Sequence, residues 1–187
     1  FLNFENNFSE LFLSLTSSIS NIGFSLNNSP NNLSFIFLIL VIIGGSFFST
    51  SSGIRFLKIY SLFKYSINEI LSYSRPKNIY INKHLFSKDS FKLDEIYKYF
   101  LSVIVFIISL LILTFLLTLS GIDFESSFKL SILTIMNTVN SSMFGLGDFS
   151  FYDLHFMTKY YLIFFMIVGR LELLTLLIIC KKFLFKN

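Results

Sequence analysis

A chain of 187 residues that is 53% hydrophobic and only 14% charged carries more apolar surface than a soluble core of that size can absorb, which points to a membrane protein. Its single cysteine, Cys180, excludes a disulfide framework and a cysteine-held metal cluster. The net charge of +4 carries no basic face with interleaved aromatics, which excludes a nucleic-acid binder.

The chain begins at Phe1 with no basic stretch ahead of an apolar one, so no signal peptide is read, and the N-terminal part of a longer protein is expected to be missing. Phe8 to Ile19 is a semi-apolar helix rich in Ser and Thr. At roughly a dozen residues it is too short to span a bilayer, and it suits a re-entrant segment or an amphipathic surface helix. Leu33 to Phe48 begins as a span and runs into "VIIGGSFFSTSSGIR" (41–55), where Gly44, Gly45, a run of Ser and Thr, and Gly53 interrupt it. "RFLKIYSLFKYSINEILSYS" (55–74) has apolar residues at helical spacing and reads as an amphipathic helix. Pro76 then opens a polar loop, with a short extended piece at Ile79 to Ile81. Tyr99 to Leu119 is an uninterrupted span. Phe124 to Val139 is a second short helix of the Phe8 type, and Met157 to Cys180 is a third span that carries Arg170 and Glu172. His84 and His155 have no partner at ligand spacing and read as solvated loop residues.

Charge gives the orientation. Arg55, Lys58, Lys64, Arg75, Lys77, Lys83, Lys88, Lys92 and Lys98 crowd the connection between the first two spans, and Lys181, Lys182 and Lys186 follow the last. Glu5, Glu10, Asp123, Glu125, Asp148 and Asp153 dominate the other side. By the positive-inside rule, residues 55–98 and the C-terminus are cytoplasmic.

A repeat emerges from this order. "FSELFLSLTSSISNIGFSLNN" precedes the Leu33 span, and "FESSFKLSILTIMNTVNSSMFGLGDF" precedes the Met157 span. Each copy is a short helix, a polar turn with glycine, a loop and a span. The expected fold is an all-α membrane protein of span–pore-loop–span repeats, the arrangement of a potassium-channel pore. Residues 1–55 hold one pore loop and its following span, 56–98 the cytoplasmic connection, and 99–187 a complete repeat. Non-helical backbone at membrane depth is tolerated where it lines an aqueous path, and its carbonyls can replace the hydration shell of a cation. No nucleophile–base set, phosphate loop or metal-ligand spacing argues for an enzyme.

Four segments in order resemble the Trk/Ktr/HKT superfamily of cation transporters, and within it the bacterial TrkH type. "IGGSFFSTSSGIR" (43–55) is similar to that family's IGG-x-x-GST-x-GGIK segment, and "GRLELLTLL" (169–177) to its GRLE-x-x-TLL segment. "TSSISNIGF" (16–24) is similar to the S-x-x-TTTGF filter of the third repeat, and "TVNSSMFGLGDF" (138–149) to the TLNNLGPGLG filter of the fourth. The resemblance implies potassium transport through a four-fold pseudo-symmetric pore, completed by two repeats outside this chain. It also implies a homodimer and a cytosolic nucleotide-binding regulator of the TrkA type.

Carried over residue by residue, it assigns the filter to Ser20, Asn21, Ile22 and Gly23, and to Asn140, Ser141, Ser142, Met143 and Gly145. Potassium is then held by the backbone of Ile22, Gly23, Ser142 and Met143. Met143 stands where the family has glycine, so either Gly145 takes over by a shift or that quadrant is distorted. The gate is assigned to the broken stretch Gly44, Gly45, Ser46, Ser49, Thr50, Ser51, Ser52 and Gly53, which otherwise reads as a small-residue packing face. Arg170 at mid-membrane is expected to face the ion path or that stretch, while Glu172 is assigned to packing against a neighbouring helix. The competing function is a non-conducting half-protein that serves as a structural membrane partner, or a pathway that also admits sodium.

Overall fold

The structure is a computed structural model that describes residues 8–24, 33–44, 56–74, 93–140, 142–146, 149–152, 154–170 and 182. Its elements run α1 (Phe8–Ile19), α2 (Ser34–Ile43), α3 (Phe56–Ser74), α4 (Leu93–Leu119), α5 (Phe124–Met136), a single 3-10 turn (Ser142–Phe144) and α6 (Phe156–Arg170). All regular structure among the described residues is helical, as expected.

α4 follows from an unbroken apolar run. Phe106, Leu110, Leu113 and Leu117, spaced four, three and four apart, are buried against the other helices. Ile107, Ile108, Leu111, Ile112 and Phe115 form the opposite, exposed face. Among the described residues, Glu95–Leu119 is the one helix long and apolar enough to cross a membrane. α4 begins at Leu93, ahead of the expected Tyr99, because nothing between Leu93 and Lys98 breaks a helix.

α2 is shorter than the expected Leu33–Phe48 span. It stops at Ile43, and Gly44 caps it outside helical geometry at φ −56, ψ 169. The expected third span is described as far as Arg170, and its remainder to Cys180 lies outside the described residues except for Lys182 beyond it. α3 is the amphipathic helix of the connection. It packs on α4, where Lys58 Nζ lies 3.4 Å from Ser102 Oγ.

The surface-helix alternative fails for α5, which is the centre of the fold. Leu130 to Met136 are buried on every side, between α4, α2 and α6. Its hydroxyls are satisfied within the core: Ser131 Oγ donates to Ser127 O at 2.7 Å, Thr134 Oγ1 to Leu130 O at 2.7 Å, and Thr114 Oγ1 of α4 lies 3.1 Å from Ser131 Oγ. α1 is inverted relative to a water-soluble helix. Ser14, Ser17 and Ser18 face inward, while Phe8, Phe12 and Ile19 face outward. Ser14 and Ser18 donate to the carbonyls of Glu10 and Ser14, so small polar residues can be buried at little cost.

Candidate functional site

Each short helix ends in the same turn. Asn21 (φ 57) and Asn137 (φ 55) are left-handed, and among the described residues no other non-glycine residue has positive φ. Asn tolerates this conformation better than most residues. The Asn21 amide donates to Ser18 O at 3.2 Å and the Ile22 amide to Ser17 O at 3.0 Å. The Asn137 amide donates to Thr134 O at 3.1 Å and the Thr138 amide to Leu133 O at 2.9 Å. The paired closures, one reaching back three residues and the next five, satisfy the last free carbonyls of each helix. They set Asn21 against Asn137, Ile22 against Thr138, and Gly23 against Val139.

The two turns lie side by side. The Val139 amide donates to Ile22 O at 3.3 Å. Gly23 (φ 81) presses its backbone on that of Val139: a β-carbon there would overlap the Val139 carbonyl oxygen and lie 2.9 Å from its nitrogen. The partly negative C-terminal ends of α1 and α5 both face this place.

Beneath each turn a glycine of the following helix makes a close approach. A β-carbon at Gly44 would lie 2.7 Å from Ile19 O and 2.8 Å from Asn21 Oδ1. One at Gly169 would overlap Ile135 O and lie 3.3 Å from Asn137 Nδ2. Ile19, Asn21 and Gly44 thus repeat as Ile135, Asn137 and Gly169. The residue after Gly44 is Gly45, the second of the expected gate stretch, and the residue after Gly169 is Arg170.

Beside each turn is an open hollow containing a buried hydroxyl that has no partner among the described residues. Ser17 Oγ lies beside the first, in a hollow of about 510 Å³ lined also by Thr16, Ser20 and Ile22. Thr138 Oγ1 lies beside the second, in one of about 540 Å³ lined also by Thr134, Val139 and Met166.

Of the residues assigned to the filter, Ser20 to Gly23 form the first turn. Ser20 Oγ donates back to Thr16 O at 2.8 Å. The second set sits elsewhere than expected. α5 ends at Met136, three residues before Val139, so its turn is 137–140 and includes only Asn140 of the assigned residues. Asn140 Nδ2 donates to Leu146 O at 3.3 Å and ties the turn to the chain that follows. Ser142 and Met143 belong to the 3-10 turn. Met143 and Phe144 are fully buried against α2, and Met143 Sδ lies 4.0 Å from Ser18 Oγ. The three atoms nearest a β-carbon built at Gly23 belong to Val139 and Thr138. Gly145 (φ 72) is exposed, and a β-carbon there would approach Lys129 Nζ at 3.1 Å, away from Gly23. Lys129 pairs with Glu125, whose carboxyl it holds below the usual range by hydrogen bond and charge. Ser141 lies outside the described residues, as do Gly45, Ser46, Ser49, Thr50, Ser51, Ser52, Gly53 and Glu172. Gly44 and Arg170 are described: the first is buried under α1, the second is exposed at the end of α6.

Sequence reasoning gave no site role to Asn137, Val139 or Gly169, although the last two lie in the quoted family segments. A signal was present: "ISNIG" (19–23) and "IMNTV" (135–139) share Ile and Asn at the same spacing.

A protein-family model described as TrkH, cation transport protein, matches residues 3–185. The chain belongs to the TrkH cation transport family. This is a family of membrane transporters, not of enzymes. The fold is also similar to the crystal structure of the potassium transporter TrkH from Vibrio parahaemolyticus, with a TM-score of 0.73 and 24% identity. That match covers 91% of this chain and 36% of the Vibrio protein, so the chain spans well under half the length of the TrkH structure it matches. No curated protein matches the chain.

Proposed function

We propose that this chain supplies two adjacent quadrants of a potassium pathway in a Trk-type uptake system of the bacterial inner membrane. The observation that carries the reading is the pair of apposed asparagine turns, each seated on a glycine of the helix that follows. The first quadrant is Ser20 to Gly23. The second is 137–140 rather than 140–145, because those are the residues beside Gly23. Carbonyls at these turns have the chemistry to replace cation hydration, and Ile22 O retains a lone pair after accepting from Val139. The hollows beside the turns take the two remaining quadrants. A second copy of the protein and a cytosolic nucleotide-binding subunit of the TrkA type complete the assembly, the latter on the cytoplasmic side with residues 55–98 and the C-terminus.

The gate begins at Gly44 and runs through the Ser/Thr-rich stretch to Gly53. Gly44 supports this reading because α2 breaks directly beneath the first turn. Removing Gly45 to Thr50 from the complete protein, expressed in cells lacking their own potassium uptake, should raise rubidium uptake about tenfold while keeping sodium excluded. Loss of uptake in protein that is folded and in the membrane would make the stretch a packing element and favour the non-conducting reading.

Arg170 follows Gly169 as Gly45 follows Gly44, which puts its Cα at the level of the break. Its guanidinium can donate to carbonyls freed in the opposite stretch and hold it closed. Arg170→Ala should speed rubidium uptake, by about fivefold or more if donors each worth about 1–3 kcal/mol are lost. Arg170→Lys keeps the charge without the fork and should fall between the two. Equal uptake by all three at equal expression would separate Arg170 from the gate.

A further inference from the structure

We infer that Asn137 is a positioning residue of the second turn, anchoring it to its own inner helix so that movement of that helix is felt at the ion path. The inference rests on the reading of the turns as filter quadrants and adds a residue that acts on them.

Two features of Asn137 combine. Its backbone is left-handed (φ 55) and ends α5. Its side chain leaves the turn and donates from Nδ2 to Met166 O of α6 at 2.9 Å. Met166 lies three residues before Gly169, one helical turn. Gly169 in turn approaches Ile135 O, two residues before Asn137. The turn is therefore held to α6 at two points about one helical turn apart: a side-chain hydrogen bond and a backbone contact that only glycine permits. Two points fix an orientation where one would leave a pivot.

The consequence reaches Gly23. Asn137 is followed directly by Thr138 and Val139, whose amides close on Leu133 O and Ile22 O. A turn free to tilt on α5 would carry the Val139 carbonyl away from Gly23, and the two turns would lose their spacing. The geometry beneath the first turn has the same form, with Asn21 Oδ1 2.8 Å from a β-carbon built at Gly44. The close approach of a glycine to the turn is therefore common to both copies. In the second it ends one residue before Arg170, so a shift of α6 at Arg170 is transmitted to Val139 by a short path.

A shift in backbone preference must be separated from loss of the anchor. Asn137→Gly keeps easy access to positive φ and removes the amide. Asn137→Asp keeps the side-chain shape and tolerance of the left-handed region, but a carboxylate cannot donate to Met166 O. The complete protein carrying each change would be placed in lipid nanodiscs for amide hydrogen exchange, and in vesicles for rubidium and sodium flux. Both variants are expected to speed exchange at Thr138 and Val139 by about threefold to tenfold, the worth of one hydrogen bond. Both should also lower the rubidium-to-sodium flux ratio by a similar factor while rubidium flux remains measurable. Wild-type exchange and flux ratio in Asn137→Gly would overturn the inference, leaving only the backbone conformation. Faster exchange with an unchanged ratio would also overturn it, because the residue would then stabilise the turn without positioning it for ions. If the unaltered protein carries no rubidium, the function reading falls, and exchange alone decides whether Asn137 anchors the turn to α6.

Discussion

Replacing Gly23 with Ala should cost the complete protein most of its discrimination between potassium and sodium. Two independent constraints meet at this residue. Its φ of 81 lies in the left-handed region, where a β-carbon costs about 1–2 kcal/mol. That β-carbon would also overlap the Val139 carbonyl oxygen, lie 2.8 Å from Thr138 Cγ2, and lie 2.9 Å from the Val139 nitrogen. Two of these atoms are backbone, so no rotamer change relieves the contact. The turns must separate, and the hydrogen bond from the Val139 amide to Ile22 O is lost with them. A ring of carbonyls selects by spacing and number, so a separation of this kind is expected to lower the rubidium-to-sodium uptake ratio by about tenfold or more. An unchanged ratio in correctly inserted protein would remove Gly23 from the ion path.

The largest loss of stability is expected at Gly169. A β-carbon there would overlap Ile135 O and lie 3.0 Å from the carbon of the same peptide. Ile135 is near the C-terminal end of α5, within its buried stretch from Leu130 to Met136. α6 would have to move off α5, uncovering part of the contact made by Leu162, Phe165 and Val168 and stretching the bond from Asn137 to Met166 O. Overpacking of a tight contact costs about 1–3 kcal/mol, and the stretched hydrogen bond adds about 1 kcal/mol. Gly169→Ala is thus expected to lower the melting temperature by roughly 5–15 °C in a chain of this size. Gly121→Ala is the contrasting change. Gly121 has positive φ (86), which Gly169 does not, but nothing lies within 4 Å of its β-carbon position, so only backbone strain of about 1–2 kcal/mol applies. A Gly169→Ala protein as stable as the unaltered one would show that α6 can slide on α5 without cost.

Much of this architecture is legible in local sequence. The helices α1, α3 and α5 start within one residue of the expected positions, because apolar spacing, Ser and Thr content, and Asn or Gly at their ends act within a few residues. α4 is set by a run of apolar side chains long enough that no other structure competes. The end of α2 at Gly44 is likewise local: glycine lowers the cost of leaving the helix. The order of the four family segments follows from sequence too, since it needs no contact between them.

Which residues stand beside Gly23 was decided only by the tertiary structure. Alignment on the family's glycine pointed to Met143, but glycine is required only where the backbone is left-handed or another backbone comes close. Gly23 needs it on both counts. Val139, its counterpart, does not have positive φ and can carry a side chain. The demand for glycine in the second copy therefore disappears, and the sequence signal with it. Met143 is instead drawn into the core by long-range contacts with α2 and with Ser18, more than a hundred residues away in the chain. Likewise, nothing local marks Gly169 as the point where α6 meets Ile135, because that approach depends on how two helices cross. The sequence by itself determined the membrane class, the helices and their breaks, which are short-range consequences of hydropathy and backbone preference. The pairing of the turns and the seating of each on its glycine are contacts between distant segments, and only packing selects them.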